Sequence, residues 1–169
     1  AMSYTFRPAT ADDLDGIMAI IAEAKEQMRR EGKHQWDDTY PVRHHIQTDI
    51  RNGSAYVMAA SGAVAAYGAV VFSGEPAYAE IEGRWLTDWP YVVLHRLAVA
   101  ERTKGHGIGA LFIQEAERLA VRAGIHSFKI DTNHDNTRMQ CLLAKTGFTY
   151  CGIIHYEKGS RMAYEKLLE

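Results

Sequence analysis

An α/β (α+β) fold is what this sequence predicts: a central mixed, mostly antiparallel sheet with helices on both faces. Three features predict it. Residues 92–109 read Val-Val-Leu-His-Arg-Leu-Ala-Val-Ala-Glu-Arg-Thr-Lys-Gly-His-Gly-Ile-Gly, an apolar strand that runs through a basic, glycine-rich turn into a helix. Two pairs of strand-like runs, 55–60 with 63–72 and 148–156 with 161–166, are joined by short glycine-bearing turns and read as hairpins. Helical and strand periodicities alternate along the chain without linker, repeat or low-complexity stretch, so residues 1–169 read as a single domain.

The elements follow in order. Tyr4 to Arg7 is a short strand, and Thr10 can cap a helix whose apolar positions are Leu14, Ile17, Met18, Ile21 and Met28, ending at Gly32. A second helix starts at Pro41, a favoured first helical position, and stops at Gly53. Ser61-Gly62 turns the first hairpin. Residues 73–90 form a long connection rich in aromatics and acids, and long ordered loops are usually functional. After the strand 91–99, the residues beyond Gly107 carry Ile108, Leu111, Phe112, Ala116, Leu119 and Ala120, a core-facing stripe that ends at Gly124. A strand then reaches Asp131, a helix runs from Asn136 to Gly147, and the last hairpin turns across Gly159-Ser160.

Composition narrows the function. At 169 residues the chain can bury roughly two thirds of its unfolded surface and needs no staple. A net charge of −2, with 8 His uncounted, leaves no footprint for nucleic acid or an anionic membrane surface. The longest apolar stretches, such as 63–72, fall far short of the ~20 residues of a membrane span, and the first thirty residues are too acidic for a secretory signal. Ala1 ahead of Met2 reads as a tag remnant. Cys141 and Cys151 suit a reducing cytoplasm and small apolar side chains, and no disulfide framework. His34 and the adjacent His44-His45 lack the spacing of a metal site, so no metal is expected.

The turn at 102–109 is built for an anion. The first N–H groups of a helix have no intrahelical partner, the helix dipole adds about half a positive charge there, and Gly105, Gly107 and Gly109 remove the Cβ atoms that would keep a pyrophosphate away. Ala110-Leu111 after Gly109 excludes a P-loop, which needs Lys-Ser/Thr at that point. The glycine spacing also fails the dinucleotide fingerprint, and Asp131 is out of register for its ribose acid.

The string Arg102-Thr-Lys-Gly105-His-Gly107-Ile-Gly109, preceded by Leu97-Ala-Val99, closely resembles the R/Q-x-x-G-x-G/A segment of the GNAT superfamily of acyl-CoA-dependent N-acyltransferases. Asp131-Thr-Asn-His-Asp-Asn136-Thr-Arg-Met139, followed by Lys145-Thr-Gly147-Phe148, is similar to that family's strand, Asn-started helix and Gly-Phe turn, and the resemblance spans nearly the whole chain. It implies acetyl-CoA as cofactor. Leu97, Ala98 and Val99 would offer backbone groups to the pantetheine, and Arg102, Thr103, Lys104, Gly105, His106, Gly107, Ile108 and Gly109 would hold the pyrophosphate. Asn133 and Asn136 would face the pantetheine arm, although Asn136 also suits a plain N-cap.

In acetyl transfer, removing the amine proton is the harder step: an alkyl ammonium of pKa ~10.4 must lose about 3 units, ~4 kcal/mol, near neutral pH. His95 is the preferred base. Two-residue alternation puts it on the face of Leu97 and Val99, imidazole's reference pKa of ~6.5 suits the task, and one branch of the family places a base histidine at the matching strand position. A core histidine bonded to a backbone carbonyl is the competing reading. Glu82, in the loop before the strand, is the reserve, either as base or as partner of the ammonium. Many family members carry a Tyr seven residues after the helix-starting Asn to protonate the thiolate, and here that position is Leu143; Tyr150, Tyr156 or solvent would serve instead. By resemblance Trp36, Tyr40, Trp85, Trp89 and Tyr91 flank the acceptor side, and with Glu80 and Glu82 they would make an aromatic, acidic pocket for a cation. The expectation is a cytoplasmic N-acetyltransferase acting on a small-molecule or peptide amine, with no nucleic-acid or membrane partner and a homodimer left open. The alternative is an acyl-CoA-binding regulatory module without turnover.

Overall fold

The computed structural model describes residues 3–169, so Ala1, read above as a tag remnant, and Met2 lie outside the described residues. The elements are β1 (Thr5–Pro8), α1 (Leu14–Arg30), α2 (Arg43–Arg51), β2 (Ala55–Ala60), β3 (Ala63–Val71), β4 (Glu82–Gly83), β5 (Val92–Val99), α3 (Ile108–Arg122), β6 (Ser127–Thr132), α4 (Thr137–Lys145), β7 (Thr149–Tyr156) and β8 (Gly159–Leu167). The eight strands follow the order β1-β2-β3-β5-β6-β8-β7-β4, and β5 pairs with β6 in parallel. The mixed, mostly antiparallel sheet of an α/β fold is therefore present. Among the described residues no helix is long and apolar enough to cross a membrane. By internal packing the chain divides into two compact units, 3–70 with 95–115 and 71–94 with 116–169, and β5 and α3 each pass from one unit to the other.

In the first unit β1, β2 and β3 form an antiparallel meander, with Phe6 opposite Met58 and Val57 opposite Tyr67. Thr10 opens a single 3-10 turn, Ala11–Asp13, that leads into α1: its N–H donates to Asp13 Oδ2 at 2.8 Å, and Arg7 holds both carboxylate oxygens of Asp13 at 2.8 and 2.9 Å. Those bonds to Arg7 keep the Asp13 carboxyl below its usual pKa despite burial. α1 buries Leu14, Ile17, Ile20 and Ile21 against Trp36, Ile46, Val57, Tyr67, Ala98 and Ala100. Gly32, at φ +70, follows its C-terminus, where a left-handed residue lets Lys33 N–H reach Met28 carbonyl.

The second helix departs from expectation at its start. Pro41 is not its first residue but lies ahead of the cap, joined to Tyr40 by a cis peptide bond. Val42 is extended, and its N–H donates to His45 Nδ1 at 2.9 Å, so the histidine side chain caps the helix and the first turn begins at Arg43.

In the second unit β6 pairs with β8 from Ser127/Leu167 to Thr132/Met162, and β8 with β7. Their turn is Glu157-Lys158, because Tyr156 already pairs with Gly159; the expected Gly159-Ser160 turn lies inside β8. The 73–90 connection is not irregular throughout: it contains a 3-10 turn, Pro76–Glu80, and β4. β4 pairs with β7 at Gly83/Gly152, where a Cβ on either residue would overlap the opposite backbone, so both positions require glycine. Glu165, fully buried, anchors the remainder of the connection by accepting from Leu86 N–H at 2.7 Å, Thr87 Oγ1 at 2.8 Å and Ser127 Oγ at 2.7 Å. The expected stripe on α3 holds at Ile108, Phe112, Ala116 and Ala120, which are buried together with Ile113, while Leu111 is 39% exposed and Leu119 partly exposed.

Candidate active site

The glycine turn sits in the first unit, between a 3-10 turn, Glu101–Thr103, and the N-terminus of α3. Thr103 is buried, and its hydroxyl donates to Ala100 carbonyl at 2.8 Å, which fixes where the chain leaves β5. Lys104 pairs with Glu101 at 3.0 Å, and the Arg102 guanidinium donates to Val64 carbonyl at 2.8 Å, so that arginine holds the turn to β3. Gly105 and Gly107 have φ of +86 and +72, and the space a Cβ would occupy at either is open. Gly107 carbonyl accepts from Leu111 N–H, which makes it the helix cap; Ile108, Gly109 and Ala110 then supply the first-turn N–H groups. His106 is exposed and its N–H is used within the turn, by Thr103 carbonyl. Open space, left-handed glycines and the N-terminus of a four-turn helix are what an anion requires.

Upstream on β5, Ala98 is buried whereas His95, Leu97 and Val99 are partly exposed. Arg96 adopts φ +58, which interrupts two-residue alternation at that point, so placing His95 on the face of Leu97 and Val99 by strand period fails. The Arg96 side chain turns inward. Its Nε and Nη2 donate to Asp49 Oδ2 and Oδ1 at 2.8 and 2.6 Å, its Nη1 donates to Tyr40 hydroxyl at 2.9 Å, and Tyr67 hydroxyl donates to Asp49 as well. Burial opposes the Arg96 charge, but Asp49 and Tyr40 together outweigh it and raise its pKa; burial and the Asp49 carboxylate raise that of Tyr67. Asp49, Tyr67 and Arg96 were not singled out from sequence. The available signals were an arginine inside an apolar strand and an aspartate beside Ile46 and Ile50 on a short helix, each needing a partner once buried. Trp36, expected at the acceptor pocket, is 8% exposed and belongs to this unit's core, while Tyr40 is the Arg96 partner.

In the second unit Glu82 is exposed on β4, 3.7 Å from His155 Nε2, and Glu80 and Trp89 are exposed too. Trp85 and Tyr91 already have a cation between them: Lys129 Nζ lies 4.4 and 4.2 Å from their ring centroids, and burial lowers its pKa. Trp85 Nε1 donates to Tyr78 carbonyl at 2.9 Å, and the Tyr78 ring packs against both Trp85 and Tyr91. Tyr78 and Tyr156 hydroxyls both donate to Asp131 Oδ2, at 2.7 and 2.8 Å, and burial followed by that carboxylate raises the pKa of both phenols. Asn133 Nδ2 donates to Asp135 at 2.8 Å, and its carbonyl accepts from Asn136 N–H. Asn136 is the N-cap of α4, its Oδ1 accepting from Met139 N–H at 3.1 Å. Leu143 is 0% exposed, a core side chain. Tyr150 is exposed and meets Tyr164 edge to face.

Residues 17–148 match the model of the acetyltransferase (GNAT) family. The chain is similar to YesJ, an uncharacterized N-acetyltransferase of Bacillus subtilis (strain 168), with 26% identity over 155 residues, 86% of this chain and 81% of that protein. It is similar to the crystal structure of a GNAT family acetyltransferase from Streptococcus agalactiae 2603, with 35% identity, a TM-score of 0.90 and coverage of 100% and 99% of the two chains. A GNAT family acetyltransferase from Listeria monocytogenes 4b F2365, 20% identical with a TM-score of 0.79 over 99% and 96% of the chains, shares the fold.

Proposed function

The chain belongs to the acetyltransferase (GNAT) family and is an acyltransferase, and from that premise we propose that it transfers the acetyl group of acetyl-CoA to a primary amine of a small molecule or peptide. The observation that carries the proposal is the turn at 102–109: two left-handed glycines with open space where side chains would stand, followed by the first turn of a 15-residue helix, whose N–H groups have no partner within the helix. These residues fit a pyrophosphate. Leu97 and Val99, partly exposed on β5, would meet the pantetheine through their backbone. Asn133 and Asn136 are the downstream positions proposed for the pantetheine arm. Asn136 Oδ1 is engaged as the helix cap, which leaves its NH₂ as the group to donate.

In direct transfer the amine nitrogen attacks the thioester carbonyl carbon, the C–N bond forms, the C–S bond breaks, and the thiolate leaves with a proton from solvent or an acid. His95 is the proposed base for the amine proton, directly or through a water, and Glu82 is the second candidate. A thiolate of pKa ~8.5 is reprotonated near neutral pH at a cost of about one unit, so the buried Leu143 removes an acid that matters less than the base. Tyr156 has its hydroxyl proton on Asp131, which leaves exposed Tyr150 or solvent as the proton source. The N-acetyltransferase relatives favour turnover over the regulatory-module alternative.

Gly107→Val tests the assignment. A β-branched residue at φ +72 is strained, and its side chain enters the open space proposed for phosphate. CoA affinity measured by calorimetry should fall at least tenfold, ~1.4 kcal/mol. Unchanged affinity in a folded Gly107→Val protein would show that the pyrophosphate lies elsewhere.

A further inference from the structure

Two described non-glycine residues have a left-handed backbone: Ser61, at φ +52 in the turn between β2 and β3, and Arg96, at φ +58 in the middle of β5. The hairpin accounts for Ser61. No turn accounts for Arg96, which is flanked by strand on both sides, and such a conformation persists only where the surroundings over-determine it. Here the surroundings are a clamp drawn from three distant parts of the chain: Asp49 from α2, Tyr40 from the segment before it and Tyr67 from β3. The Arg96 and Asp49 side chains are 16% and 6% exposed. A buried ion pair is a poor source of stability, since apolar groups of the same volume serve as well; its particular contribution is to fix one geometry through a planar fork with two acceptors.

From this we infer that Arg96 is a positioning residue for acetyl transfer: held by Asp49, Tyr40 and Tyr67, it fixes the left-handed turn in β5, and with it the direction of His95 before the turn and of the Leu97 peptide groups after it. The inference rests on the reading that β5 carries the thioester. Without the clamp nothing local favours φ +58 over an extended arginine, and a return to strand geometry would restore alternation through residue 96 and rotate the following peptides. The clamp also ties the segment that ends at Tyr40 to this strand.

Asp49→Asn and Tyr40→Phe in the full chain test the inference, with CoA as the probe in calorimetry, amide resonances followed by NMR, and thermal unfolding recorded in parallel. Asp49→Asn cuts the ion pair but keeps its shape; Tyr40→Phe removes one hydroxyl and leaves the pair intact. CoA affinity should fall about fivefold or more in Asp49→Asn and by a smaller factor in Tyr40→Phe, and the His95 and Leu97 amides should move in both. If both variants fold, bind CoA as the wild type does and leave those amides in place, the clamp serves stability alone and the inference is overturned. If Asp49→Asn fails to fold, Tyr40→Phe decides by the same two readouts. If the wild type itself does not bind CoA, the acetyl-CoA reading fails, and the His95 and Leu97 amides alone then support or overturn the clamp.

Discussion

Leu143 stands where many relatives would present a phenol, and Leu143→Tyr measures both what the position now does and what the reaction lacks. The leucine is fully buried, and its carbonyl accepts from Phe148 N–H at 3.0 Å where the chain turns out of α4. A tyrosine there must push neighbours aside, typically ~1–3 kcal/mol, and a hydroxyl left without a partner costs about as much again. Even the low end, about 2 kcal/mol, lowers Tm by roughly 4–8 °C for a domain of this size. On the catalytic side, an acid for a thiolate of pKa ~8.5 near neutral pH is worth at most about one unit, a factor of ten in kcat. Scanning calorimetry and a thiol-release assay with acetyl-CoA and a panel of amines read the two effects separately. The expected variant is less stable, with turnover between unchanged and tenfold higher. A variant as stable as wild type would show that the site is not close-packed. A gain of several orders of magnitude would mean that thiolate protonation limits the wild type, and the ordering of base over acid would be wrong.

His95→Ala should lower kcat and remove the acidic limb of the pH–rate profile, while Glu82→Gln should mainly raise the amine KM; the reverse pattern in steady-state kinetics transfers the base role to Glu82. A second pH effect concerns stability. His45 Nδ1 must be unprotonated to accept Val42 N–H, and burial, then His44 and Arg96, lower its pKa below the usual 6.5. The folded state therefore binds this proton less readily than the unfolded chain, so the contribution is fully present above pH ~6.5 and is lost as pH falls below that value. Glutamine at the same helical position can accept the bond without titrating, so His45→Gln should flatten the fall in Tm between pH 7.5 and 5.5; an identical slope in both proteins would remove His45 as its source.

Elements governed by local chemistry were legible. The period of α1, the hairpin of β2 and β3, the Asn136 cap and the glycine turn all follow from residues within a few positions of one another. The misreadings have partners that sequence spacing does not reveal. Pro41 suits a helix start, yet the start is set by the His45 imidazole reaching back to Val42. Alternation along β5 is sound for an isolated strand, but Arg96 answers to an aspartate 47 positions earlier. The composition of that strand held the clue: a guanidinium among Leu94, Leu97 and Ala98 must find a carboxylate or leave the sheet.

The aromatic residues teach the same lesson about charge. Trp85 and Tyr91 were read as walls for a cation, and they are, but the cation is Lys129 of the same chain, with its ammonium over both rings and 3.5 Å from Thr87 carbonyl. A lysine in the strand run Ser127–Thr132 is as conspicuous as Arg96 in β5, since the ammonium of a lysine only 3% exposed must be met by rings, carbonyls or carboxylates. An aromatic and acidic composition therefore does not by itself imply a cationic ligand. The chain's own buried cations have to be assigned first, and here Arg96 engages the Tyr40 hydroxyl and Lys129 lies over the Trp85 and Tyr91 rings.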